Sequence, residues 1–272
     1  MELEHNREEI GKLGLGLAAI SYDSQAVLHN FAERKGIHFT LLSDRDSKII
    51  RELGILNETI EKSNPTFGIP HPGSFILDSK GAIVAKYFED DYRHRYTAAD
   101  LLMHQFGVIP DQAKSDVEGK QLKLTASASN AVVTVGQRVG LALDIELKPN
   151  MHVYAPSVQG YIPIEWEMKE SGADAVHEVS FPKYEILNLP AINETVPVFT
   201  GRFRLTRDVT IGDADKIKPM LDRSGRFTLE GVLKYQACDD RICYIPQNLP
   251  IKWTLQFQDL DRQRVPAELQ RK

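Results

Sequence analysis

The apolar positions along the chain keep two different rhythms. From residue 1 to about 106, stretches of helical spacing alternate with short apolar runs of strand type. Residues 2–13 are predicted as a helix, 13–23 as a buried strand, and 24–36 as a helix opened by Ser24 and stopped by Gly36. A strand over 39–44, a helix over 46–54, two strands about Ser79-Lys80-Gly81 within 73–89 and a helix over 97–107 complete this half. Such alternation predicts a mixed sheet layered with helices.

Past Pro110 the rhythm changes. The Asp, Lys and Ser content and Gly119 predict a solvated linker. Beyond it, 121–129, 138–147, 196–211, 225–237 and 249–258 alternate apolar with polar at a period of two, and no helix is predicted among them. That is the pattern of an all-β sandwich. The expected division is an α/β domain over 1–108, a linker over 109–120, a β-sandwich over 121–260 and a polar tail over 261–272. The fold class is thus α/β plus all-β.

Composition narrows the function. A length of 272 residues suits two domains, and a formal charge of −5 offers no basic field for nucleic acid or anionic lipid. No apolar run approaches the roughly 18 residues that span a bilayer. The opening MELEHNREEI is charged and lacks the apolar core of a secretory signal. No cofactor or resident metal is expected.

Chemistry concentrates in Tyr235 to Pro246, YQACDDRICYIP, which holds both cysteines of the chain, Cys238 and Cys243. A β-hairpin with a four-residue tip would set them opposite each other, at Cα separations of about 4.5–5.5 Å that a disulfide accepts. Three readings compete: a structural staple, two reduced core thiols, or a redox-active exchange pair. A bridge closing so short a loop stabilises less than the usual 2–4 kcal/mol or so, which weakens the first. The charged tip Asp239-Asp240-Arg241 weakens the second. A zinc site would need further ligands such as His152 and His177, brought together only by the fold.

The segments GLGLAAISYDS, FTLLSDRDSKIIRELGI and IPHPGSFILDSKGAIVAKYFE resemble the thioredoxin-like fold, in its peroxiredoxin (AhpC/TSA) branch. The resemblance implies a strand before the first helix and a reactive cysteine at that helix's N-terminus. This sequence starts inside the matching helix and has no cysteine from 1 to 237, so a truncated domain without the peroxidatic cysteine is expected. Pro72 falls at the position where that family places a cis-proline. Arg95 falls where an arginine steadies the peroxidatic thiolate, although Arg93 and Arg95 also read as solvated loop charges.

YQACDDRICYIP in turn resembles the active-site hairpin of the N-terminal, immunoglobulin-like domain of the thiol:disulfide interchange protein DsbD. Tyr235, Gln236, Cys238, Cys243, Tyr244 and Pro246 fall into place, while Ile245 replaces a proline. MHVYAPSVQGYIPI and VPVFTGRFRLTRDVTI extend the likeness over about 120–258. The resemblance implies a Cys238/Cys243 dithiol-disulfide couple serving other thiol-disulfide proteins as electron donors or acceptors, in an extracytoplasmic compartment. It also implies a cap over the pair, by position LNLPAINETVP (187–197), here without the family's aromatic residue. Tyr244, Glu194, Asp239 and Asp240 are candidate modulators of the thiols, and nearby carboxylates raise thiol pKa values. Tyr154 and Tyr161 are candidates to pack near the pair. Which cysteine attacks is left open. The expected function is a thiol-disulfide oxidoreductase; the alternative is a non-enzymatic interaction protein with a structural disulfide and a vestigial redoxin scaffold.

Overall fold

A computed structural model describes residues 2–89, 91, 93–109, 114–169, 172–189, 194–261 and 263–269. The chain divides into two compact units, Met1–Leu102 with Leu260–Lys272, and Met103–Asp259.

In the first unit the predicted opening helix is broken in two, α1 (Glu2–His5) and α2 (Arg7–Lys12). At Asn6 the backbone turns to φ −91° and ψ 2°, and its side chain donates to the Glu2 carbonyl at 3.0 Å. Strand β1 (Ala18–Ser21) is shorter than predicted, since Gly14 takes a φ of 76° that extended backbone does not allow. Helix α3 (Gln25–Lys35) follows the predicted signals: the Ser24 hydroxyl accepts from the Val27 N–H, and Gly36 stops it in the left-handed region. It crosses over to β2 (Thr40–Ser43), which runs parallel to β1. Helix α4 (Lys48–Glu52) has an unforeseen cap, the Asp44 carboxylate, which accepts from Lys48 and Ile50 N–H groups at 2.9 and 2.8 Å. Strands β3 (Gly73–Leu77) and β4 (Ile83–Phe88) form the predicted hairpin. After it come β5 (Arg95–Tyr96) and α5 (Ala98–Phe106).

One expectation is corrected here. No cis peptide occurs among the described residues, so Pro72 is trans, the form an X–Pro bond prefers by about 0.5–1 kcal/mol when nothing opposes it. Arg93 pairs with Asp91 at 2.6 Å and Arg95 is exposed, so both are surface charges.

The strands of the second unit begin inside the expected linker. Lys114–Glu118 is a strand, β6, paired antiparallel with β7 (Leu122–Ala128). Its polar residues suit a strand at the end of its sheet, where only one side is paired. The chain continues through β8 (Val132–Val133), β9 (Gln137–Leu147), β10 (His152–Tyr154), β11 (Glu165–Met168), β12 (Ala173–Ser180), β13 (Glu185–Leu189), β14 (Glu194–Thr200) and β15 (Arg202–Ile211). One helical turn, α6 (Ala214–Ile217), interrupts the strands where none was predicted; it buries Ile217. Then follow β16 (Arg226–Tyr235), β17 (Ala237–Cys238) and β18 (Gln247–Phe257).

Three ladders result, β12-β15-β9-β7-β6, β11-β16-β18-β8 and β13-β14-β10-β17. The first two share one apolar core, to which β9 gives Leu141, Leu143 and Ile145, β15 gives Leu205 and Val209, and β16 and β18 give Phe227, Leu229, Trp253 and Leu255. The alternating burial along β16 and β18 is the period-two pattern of the sequence made physical.

Candidate functional site

The site grows from the longest hairpin of the sandwich. β16 and β18 pair from Arg226↔Gln256 to Tyr235↔Gln247, so the segment between them starts from a fixed base. Tyr235 anchors that base. It is buried, and its hydroxyl lies where a Cβ on Gly119 would come within 2.7 Å, so only glycine fits there. Past Tyr235 the chain leaves β18 and pairs with β10 instead: Ala237 faces Val153 and Cys238 faces His152.

At the end of this excursion Cys238 and Cys243 oppose each other in an isolated antiparallel bridge, joined by a disulfide with Cα atoms 4.0 Å apart. The tip between them is held by its own first residue. The Asp239 carboxylate accepts from the N–H groups of Arg241 and Ile242 at 2.8 and 2.9 Å, and from the Tyr244 hydroxyl at 2.9 Å. Those backbone bonds, with help from Tyr244, hold its pKa below the usual carboxylate value. Tyr244 is fixed in turn by Gln236, whose side-chain amide donates to its carbonyl at 3.0 Å. The motif residues Gln236, Asp239 and Tyr244 therefore build the hairpin. Asp240 is exposed on the tip.

The two sulfur-bearing residues differ sharply. Cys238 is 1% exposed, in a small apolar cluster with Tyr154, Val196 and Val198. Cys243 is exposed. The Tyr154 hydroxyl lies 3.7 Å from Cys243 Sγ, within reach as a donor to sulfur. Burial, and then the charge of Glu194, raise the Tyr154 pKa, so the phenol keeps its proton. Its ring stacks on Tyr161 with centroids 4.4 Å apart, and the Tyr161 hydroxyl donates to Glu194 at 2.7 Å. That bond, chiefly, pushes the Tyr161 pKa up to about 12. Glu194 thus reaches the disulfide through two tyrosines rather than by lying against the sulfur.

Of the segment expected to cap the pair, β13 and β14 supply its two arms, pairing from Glu185↔Val198 to Leu189↔Glu194. Residues 190–193 lie outside the described residues. His177, considered as a metal ligand, sits on β12 and hydrogen-bonds Thr210 at 3.0 Å. His152, also considered as a metal ligand, faces Cys238 across the strands, a pairing that needs the register of β10 against β17.

Comparison with known proteins gives two separate matches along the chain. Residues 1–86 match the AhpC/TSA family, and residues 121–254 match the family described as thiol:disulfide interchange protein DsbD, N-terminal. Among curated relatives, Peroxiredoxin Bcp of Escherichia coli (strain K12) is 34% identical over 91 residues, covering 34% of this chain and 56% of that protein. A putative peroxiredoxin bcp of Haemophilus influenzae is 34% identical over 82 residues, covering 30% and 52%. The chain spans about half the length of the curated relatives it matches. Among solved structures, the N-terminal periplasmic domain of ScsB from Proteus mirabilis aligns with a TM-score of 0.39 at 14% identity, covering 52% of this chain and 51% of that one. The Neisseria meningitidis DsbD n-terminal domain in the reduced form aligns with a TM-score of 0.30 at 13% identity, covering 54% and 89%. Among the described residues no helix is long and apolar enough to cross a membrane. The chain thus joins a region similar to the AhpC/TSA family to a β-rich region similar to the DsbD N-terminal family, and with its disulfide-forming pair this combination points to thiol-disulfide redox function.

Proposed function

We propose that the chain is a thiol-disulfide exchange protein that passes electrons through Cys238 and Cys243, with Cys243 as the sulfur that meets the partner. The observation that carries this is the asymmetry of the pair: one cysteine buried and one exposed, on a tip held by a rigid hairpin. An incoming thiolate needs access to one sulfur and a leaving group at the other. A donor thiolate attacks Cys243 Sγ, the bond to Cys238 breaks, and Cys238 leaves with the electron pair. A second donor thiol then resolves the mixed disulfide and leaves the pair reduced. The reverse sequence delivers two electrons to an acceptor disulfide. The Tyr154 hydroxyl supplies a donor beside Cys243 where negative charge develops.

The partners on this reading are other thiol-disulfide proteins, in an extracytoplasmic compartment where disulfides persist. The β-sandwich, from Lys114 onward, is proposed to carry the redox couple. Residues 1–237 contain no cysteine, so the redoxin-like region brings no thiol of its own to the exchange in this sequence.

The test is the reduction potential of the pair in the full chain, read by alkylation and mass shift across graded thiol buffers. A reversible transition between about −270 and −120 mV, the span of known exchange proteins, is expected. A bond still intact below about −300 mV would make it a structural staple, and the sandwich an interaction module.

A further inference from the structure

Antiparallel pairing sets His152 of β10 directly opposite Cys238 of β17. Directly opposed residues project to the same face of a sheet, with Cβ atoms about 4.5–5.5 Å apart. The imidazole therefore shares a face with the buried sulfur. It is 5% exposed, and its Nε2 is buried with no hydrogen-bond partner. A buried polar atom left unpaired is costly and rarely kept without a reason. The Tyr154 ring meets the imidazole edge-on at 5.5 Å, and Thr200 of β14 is its other cross-strand neighbour. The charged groups that act on it are Asp240 and Asp239 of the tip. Burial lowers its pKa by more than these carboxylates raise it, so the ring is neutral near pH 7 and can accept a proton.

Resting on the exchange reading above, we propose that His152 is the proton acceptor for Cys238 in the step that re-forms the disulfide. When the reduced pair delivers electrons, the Cys243 thiolate attacks the acceptor disulfide, one acceptor sulfur leaves as thiolate, and Cys243 is joined to the other. Cys238 is then a thiol in an apolar cluster, which disfavours its thiolate. Freed from Cys243, its side chain can rotate toward the imidazole. Nε2 takes the thiol proton, and the Cys238 sulfur forms its bond to Cys243 Sγ. The bond between Cys243 and the acceptor breaks, the second acceptor sulfur leaves as thiolate, and the imidazolium returns its proton to solvent. Two electrons have passed from the pair to the acceptor. The buried cysteine needs the base; the exposed one has water.

Reduced full-length protein mixed with Ellman's reagent separates the two events, because thionitrobenzoate is released first by attack of Cys243 and then by closure from Cys238. In the wild type the closure rate is expected to rise through the imidazole range, below the free-thiol value of about 8.5, and to level off. His152→Gln should abolish that rise and slow closure at neutral pH at least about tenfold, leaving the first release unchanged. Closure that keeps its rate and pH profile in His152→Gln overturns the proposal. Should that variant fail to fold, the wild-type profile decides alone: closure following only a thiol titration overturns it as well. A normal first release with closure indifferent to His152 sinks the role of His152 and leaves the exchange reading standing. Absence of any release sinks both.

Discussion

The two units make strands in the same way and use them differently. In the first, among the described residues, β1 pairs only with β2 and β3 only with β4, and Leu42, Leu77, Ile83 and Val84 remain exposed. In the second, ladders of four strands and more close over one apolar core, with Leu141, Leu205 and Leu255 buried completely. The cysteine pair stands on the second kind of framework. A hairpin tip would wander on a two-stranded ribbon, which is marginal alone, but here it rises from the longest paired hairpin of a full sandwich. The difference teaches that the sandwich, rather than the disulfide, fixes the tip.

The largest expected effect tests the core. Leu205→Ala should cost the sandwich about 2–5 kcal/mol, from lost transfer energy plus the cavity left behind. Both tryptophans of the chain, Trp166 and Trp253, lie in this unit, so fluorescence during guanidinium unfolding reports on it selectively. Next is reduction of the disulfide. The loop between Cys238 and Cys243 is short, with a sequence separation of 5, and chain entropy assigns its closure only about 2 kcal/mol. The same fluorescence transition, repeated with dithiothreitol, should shift less than in Leu205→Ala. A larger shift would make the bond the main support of the tip and reverse the comparison.

Smaller still is the effect on ionisation around the pair. A spectrophotometric titration should find Tyr154, Tyr161, Tyr235 and Tyr244 held above the ordinary value of about 10, with Tyr161 held up to about 12 by its bond to Glu194. Because the hydrogen bond to a carboxylate favours the neutral phenol, Glu194→Gln should return this ionisation toward the ordinary value. An unchanged curve would break the link from Glu194 through the tyrosines to the disulfide. The smallest effect lies in the first unit: Leu77→Ala, at a half-exposed strand position, should move far-UV circular dichroism melting by no more than about 0.5 kcal/mol. A loss approaching that of Leu205→Ala would show that this unit, too, rests on a continuous core.

Local chemistry was legible in the chain. Ser24 and Gly36 bracket α3 because a hydroxyl and a left-handed glycine satisfy helix ends without help from elsewhere. The alternation along β16 and β18 reports a half-buried face directly. The spacing of Cys238 and Cys243 suffices for a cross-strand bond, since four intervening residues can turn the chain back on itself. Less legible was whatever depended on a partner far away. Lys114–Glu118 looks like linker because its residues are polar, and it is a strand because β7 pairs with it. Pro72 was expected cis from its family position, yet the bond is trans.

The sequence by itself determined where the disulfide of this protein lies and which residues shape the turn that carries it, because Gln236, Asp239 and Tyr244 act within a few residues of the cysteines. Only the tertiary structure decided that Cys238 is buried and Cys243 exposed, that Tyr154 stands by the exposed sulfur, and that His152 faces the buried one. Burial and cross-strand register depend on which distant strands meet, and a slip of one residue would turn His152 to the other face of its sheet.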